Sequence, residues 1–105
     1  MSFRADLRHD GSVALIKLDG ALDALSAPVF RDRIKSAAQH PVRQLVLDMA
    51  NVNYLSSAGL RTLVYARQKM RDGSRITIVG ANDVIQRTIQ LMGFQYGMEF
   101  GDGIT

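Results

Sequence analysis

The chain of 105 residues is the size of one small domain with a single core. Its 47% hydrophobic and 22% charged residues are those of a packed globular protein, and the absence of cysteine excludes a disulfide framework, a thiolate metal site and a cysteine nucleophile. The formal charge of +3 and the pI near 9.7 arise from 13 Lys and Arg interleaved with 10 Asp and Glu, the pattern of a solvated mixed-charge surface, so no direct contact with nucleic acid is expected.

Phe3, Ala5 and Leu7 alternate with Arg4, Asp6 and Arg8, which predicts a strand with one wet face. HDG at 9–11 reads as a turn, and the apolar run VALIKL at 13–18 as a more central strand paired back onto the first in a hairpin. Ser26 is placed to cap a helix in which Pro28 loses no needed N–H, and Val29, Phe30, Ile34, Ala37 and Ala38 share its inner face. QLVLDM at 44–49 is the next strand, ending at Met49 and leading into the turn before Ser57.

From Ser57 a helix turns Leu60, Leu63, Val64 and Met70 inward and stops near Gly73. RITIVG at 75–80 is a buried strand, after which Asn82 caps a helix closed by Gly93, with Val84, Ile85, Thr88, Ile89 and Met92 as its apolar stripe. A short apolar piece at 98–100 reads as an edge strand or a docked extension. The order predicts an α/β fold in one domain over 1–105: a sheet of four to five mixed strands, right-handed crossovers, helices mainly on one face, and Leu15, Ile16, Leu45, Leu47, Ile76 and Ile78 buried. No apolar run reaches the roughly 18 to 20 residues that span a bilayer, and the start MSFRADLRHD is too charged for a secretory signal, so the expected location is the cytoplasm without membrane insertion.

Catalytic patterns are sparse. The corner YLSSAGL lacks the first glycine of a nucleophile elbow, and His9 and His40, the only imidazoles, look like exposed loop residues. Neither GxxxxGK(S/T) nor GxGxxG occurs. Asp48 at a strand end lacks the acidic cluster and lysine of a phosphoacceptor aspartate and reads as a structural group that hydrogen-bonds the segment after it. In contrast, Ser56, Ser57, Ala58 and Gly59 make a small-residue helix start: Ser56 is placed to cap, Ser57 projects a hydroxyl, and an added phosphate would be favoured there by the helix dipole. Capping and close packing without regulation is the simpler reading of the same residues. Ser57, Arg61 and Tyr65, at i, i+4 and i+8, fall on the side of the helix away from Leu60, Leu63 and Val64.

Three segments, LDGALDALSAPVFRDRI at 18–34, LVLDMANVNYLSSAGLRTL at 45–63 and ITIVGANDVIQRTIQLMGF at 76–94, resemble the STAS domain of bacterial anti-sigma factor antagonists over essentially the whole chain. In that family the phosphoacceptor serine stands in a D-S-(S/A)-G setting before the second helix, so the resemblance implies Ser57 as acceptor, with Ser56 in place of the usual aspartate. It further implies a non-catalytic, cofactor-free partner switch. The unmodified protein binds an anti-sigma factor serine kinase of the histidine-kinase-like ATPase type and frees a sigma factor; phosphorylation breaks the contact, and a PP2C-type phosphatase restores it. The implied contact surface comprises Asp23, Leu25 and Ser26 in the loop before the first helix, together with Ser56, Ser57, Ala58, Gly59, Arg61 and Tyr65. The alternative is a stand-alone STAS scaffold, or a subunit of a lipid-transport ATPase assembly, with no sigma-factor role.

Overall fold

The computed structural model describes residues 3–93 and 97–101. Strands β1 (Arg4–Asp10) and β2 (Val13–Leu22) form an antiparallel hairpin. Helix α1 (Ala27–Ala38) leads to strand β3 (Gln44–Leu55), helix α2 (Ser57–Lys69) to β4 (Arg75–Val79), and helix α3 (Asp83–Gly93) precedes β5 (Met98–Phe100). The strands lie in the order β1-β2-β3-β4-β5, all parallel after the first pair. Because each new strand is added on the same side of the last, crossovers of one hand place all three helices on one face of the sheet. The 98–100 piece is thus an edge strand.

The core lies between that face and the helices. Ile16 and Leu18 of β2, Leu45 and Leu47 of β3, and Ile76 and Ile78 of β4 meet Phe30 and Ile34 of α1, all at most 1% exposed. Burying each such side chain is worth about 1.5–3 kcal/mol. Leu15, expected inside, is only half-buried, because strand alternation turns it with Val13 and Lys17 toward the face no helix covers. There Arg4 stands in register with Asp19, Asp6 with Lys17, and Lys17 with Asp48, so opposite charges neighbour one another on the wet face.

Several boundaries differ from those predicted. His9 and Asp10 belong to β1, paired with Ala14 and Val13; the turn is Gly11 and Ser12, with Gly11 at φ 59 in the first loop position, as a type II′ connection requires. β2 runs on to the fully buried Leu22. β3 continues past Met49 to Leu55, with breaks in its register to β2 opposite Lys17/Asp19 and Gly20/Ala21. The extra residues put two exposed positions in a row at Ala50 and Asn51, and again at Asn53 and Tyr54, around the buried Val52. At the first break the Ala50 N–H donates to Asp48 Oδ1 at 3.0 Å, which gives Asp48 the expected structural role, within the strand.

On the helices, Phe30, Ile34 and Ala37 are buried as expected, but Val29 is exposed. In α2 the inward stripe is Gly59, Thr62, Leu63 and Ala66; Leu60 and Val64 are half-buried at its margins. The helix ends at Lys69, and Gly73 (φ 88) serves the following turn and not the helix cap. Asn82 Oδ1 accepts from the Ile85 N–H at 2.9 Å, so the predicted cap of α3 is present; Ile85 and Ile89 are buried, whereas Val84 is 75% exposed. The side chain of Met92 lies outside the described set.

Candidate functional site

The corner between β3 and α2 divides its small residues among separate tasks. Ser56 is extended at φ −89 and ψ 175, and its Oγ accepts the Gly59 N–H at 3.2 Å, the bond of an N-cap. Its own N–H donates to the Leu22 carbonyl at 2.9 Å, which moors the corner to the end of β2. Gly59, expected on the contact surface, is buried, and a side chain there would collide with Leu22 and Leu55. Ala58 is half-buried, and its carbonyl accepts the Thr62 hydroxyl at 2.9 Å. Ser57 is left: the first residue of α2, exposed, with no hydrogen-bond partner for its hydroxyl among the described residues.

Beside this corner runs the loop from β2 to α1. Asp23 Oδ1 accepts the N–H groups of Leu25 and Ser26, each at 3.0 Å, and the Ser26 hydroxyl accepts the Asp23 N–H at 2.8 Å while donating to the Ala21 carbonyl at 2.6 Å. The Ser26 N–H foremost, helped less strongly by the Leu25 N–H, holds the Asp23 carboxyl below its ordinary value; desolvation, second in size, opposes it. Ser26 therefore does not cap α1 through its side chain; it is 5% exposed and locks the loop from within. What the loop displays is Leu25, 90% exposed.

The face drawn from Ser57 through Arg61 to Tyr65 is interrupted. Arg61 is exposed, whereas Tyr65 is half-buried against the core, and the Arg31 guanidinium of α1 lies over its ring at 4.3 Å. Tyr65 thus belongs to the seam between α1 and α2, because the inward stripe of that helix is rotated from the one expected.

A sequence model described as the STAS domain matches residues 4–102. The chain belongs to the STAS domain family. It is 29% identical over 85 residues to the anti-sigma-F factor antagonist RsfB of Mycobacterium tuberculosis, which covers 81% of this chain and 69% of RsfB. Its fold superposes on the crystal structure of an anti-sigma factor antagonist from Mycobacterium paratuberculosis with a TM-score of 0.85, at 21% identity over 98% of this chain and 88% of that one. It also resembles the Bacillus protein SpoIIAA in its phosphorylated form, with a TM-score of 0.72 and 17% identity over 95% of this chain and 91% of that chain.

In this STAS domain the carboxyl ends of β2, β3 and β4 and the amino ends of α1, α2 and α3 lie along one edge of the sheet, where parallel α/β folds place their contacts. Sequence patterning missed two residues there. Tyr54 is 56% exposed and Val84 75% exposed, and both line a cleft of about 460 Å³ with Asn53, Asn82 and Thr88. A second cleft of about 430 Å³ holds Leu25, Asp23, Val29, Phe3 and again Asn53. Leu25, Tyr54 and Val84 therefore put exposed apolar surface on the edge that carries Ser57. The two histidines, whose rings meet edge to face at 4.6 Å, sit near the opposite ends of the strands. Among the described residues no three potential metal ligands gather, and no helix is long and apolar enough to cross a membrane.

Proposed function

We infer that this STAS domain is an anti-sigma factor antagonist, a cytoplasmic binding switch and not an enzyme. In this reading it docks on an anti-sigma factor serine kinase of the histidine-kinase-like ATPase type, displaces a sigma factor, and is released by phosphorylation of Ser57. The observation that carries the reading is the division of labour at the corner: the Ser56 hydroxyl is committed to the cap, while that of Ser57 is exposed and uncommitted, on an edge that also exposes apolar side chains. RsfB is named for antagonising an anti-sigma factor, and SpoIIAA is known in a phosphorylated form, which supports both halves of the proposal.

In the modification step the Ser57 oxygen attacks the γ-phosphorus of ATP held by the kinase. The new O–P bond forms as the bond to ADP breaks, and the hydroxyl proton passes to a base of the kinase. The product carries about −1.5 to −2 charges on an edge that also exposes the apolar side chains of Leu25, Tyr54 and Val84. Carrying this dianion into a close contact costs several kcal/mol of desolvation, roughly ten times what an exposed cation on the same helix returns, so the complex separates. Hydrolysis of the phosphoserine by a PP2C-type phosphatase returns the hydroxyl and the affinity.

The test is phosphorylation by the cognate kinase with ATP, followed by mapping of the site. One phosphate on Ser57 is expected, with none on Ser56; modification elsewhere would overturn the assignment. Ser57→Ala should retain kinase binding and Ser57→Asp should weaken it, and equal binding by the two would leave a constitutive scaffold in place of the switch.

A further inference from the structure

We propose that Arg61 receives the phosphate carried by Ser57, in an ion pair across one turn of α2 that exists only in the modified protein. The proposal rests on the assignment of Ser57 as the acceptor. Ser57 and Arg61 are four residues apart in a continuous helix, which sets their Cβ atoms about 5–6 Å apart on one face. Both side chains are exposed. The acidic group would be N-terminal to the basic one, the more favourable order for such a pair.

Arg61 is also the arginine of these two helices that is unoccupied. Of the four on α1 and α2, Arg31 covers the Tyr65 ring, Arg33 donates to the Ala5 carbonyl at 2.7 Å, and Arg67 donates to the carbonyls of Ser74 and Arg71 at 2.6 and 3.0 Å. Arg61 makes no hydrogen bond or ion pair with any described residue. A serine hydroxyl offers such a group little, but a phosphate places three acceptor oxygens and nearly two charges farther out, matched to the forked guanidinium.

The pair gives phosphorylation a second effect besides added charge. In the unmodified protein Arg61 projects freely and is available to a carboxylate on the partner. In the modified protein it folds onto its own phosphate and leaves the contact surface. An aspartate at position 57 is shorter and carries one charge, so it reproduces the charge in part and the pair poorly.

The experiment uses the full chain with phosphoserine placed at position 57 during translation, and follows the phosphate by phosphorus NMR as pH is varied. Among the described residues, the Asp23 and Asp83 carboxylates on the same edge and the Arg31 guanidinium of α1 beside Tyr65 are unchanged throughout, so a difference between variants isolates Arg61. The second ionisation should lie about 0.3 pH lower with Arg61 than in Arg61→Gln, with Arg61→Lys between them. The gap should shrink as ionic strength rises from about 0.01 M to 1 M. Superimposed titrations of the native sequence and Arg61→Gln would overturn the pair. Because no kinase is involved, failure of the kinase to modify Ser57 would instead overturn the proposed function and leave this measurement standing.

Discussion

Gly59 is pressed against Leu22: a Cβ at position 59 would lie 2.8 Å from the Leu22 carbonyl oxygen and 2.9 Å from its Cγ, with Leu55 Cδ1 at 2.7 Å on another side. The backbone of α2 thus approaches the end of β2 too closely for any side chain at position 59, and the same Leu22 carbonyl also accepts the Ser56 N–H. This contact fixes where the amino end of α2, and hence Ser57, stands relative to the Asp23–Ser26 loop.

Gly59→Ala should therefore destabilise the fold by about 1–3 kcal/mol through overpacking, even though alanine favours a helix interior by about 1 kcal/mol. For a domain of this size each kcal/mol lowers Tm by about 4–8 °C, which a thermal melt resolves. If the variant melts with the native protein but no longer binds its partner, Gly59 acts at the surface and the packing argument is wrong.

The two serines of the corner should separate by assay. Ser56→Ala removes the cap that holds the Gly59 N–H and should cost about 1 kcal/mol in urea unfolding. Ser57→Ala touches an exposed, unbonded hydroxyl and should stay within about 0.5 kcal/mol. Reversal of that order would mean that Ser57, not Ser56, caps the helix.

Leu25 is held out by a loop whose own hydrogen bonds do not involve its side chain. Leu25→Ser should leave the melting curve within about 0.5 kcal/mol of native while weakening the proposed complex with an anti-sigma factor at least roughly tenfold, as expected of an apolar anchor. Calorimetric titration of both proteins decides it, and unchanged affinity would remove the loop from the contact surface.

Asp23 makes the same loop sensitive to acid. Its folded carboxyl lies below the ordinary value of 3.8, so it contributes stability above that pH and loses it as pH falls through the lower folded value. Asp23→Asn keeps an acceptor for the Leu25 and Ser26 N–H groups but has nothing to titrate. The melting temperature of the native protein should therefore fall more steeply below about pH 4 than that of the variant. Parallel profiles would show that the carboxylate gains nothing from these bonds in its charged form.

Much of this was legible locally. The caps at Ser56 and Asn82, Pro28 in the first turn of α1, and the apolar strands at 44–49 and 75–79 follow from short-range rules, since a cap or a strand pattern is decided within a few residues. The STAS resemblance of the corner around Ser57 was also readable from the residues themselves. The second half of β3 was not, because register breaks against β2 interrupt the period-2 pattern on which strand reading depends. Nor could the local pattern expose Leu15 or Val84, whose apolar character looks the same on either face of a strand or helix.

What the sequence determined by itself was the set of elements and the residue types at the corner, because propensity, capping and glycine tolerance act over one or two turns of chain. Only the tertiary structure decided how the helix that carries the free hydroxyl is turned and what surrounds it. Ser56 and Ser57 are identical in chemistry and adjacent in sequence, but the Leu22 carbonyl fixes the Ser56 backbone and the close approach of Gly59 fixes the phase of α2. That phase turns Ser57 and Arg61 to solvent, draws Tyr65 under Arg31, and aligns the corner with Leu25, Tyr54 and Val84 from three separate parts of the chain. Such a surface is a property of strand order and helix rotation, which depend on contacts between residues far apart in sequence.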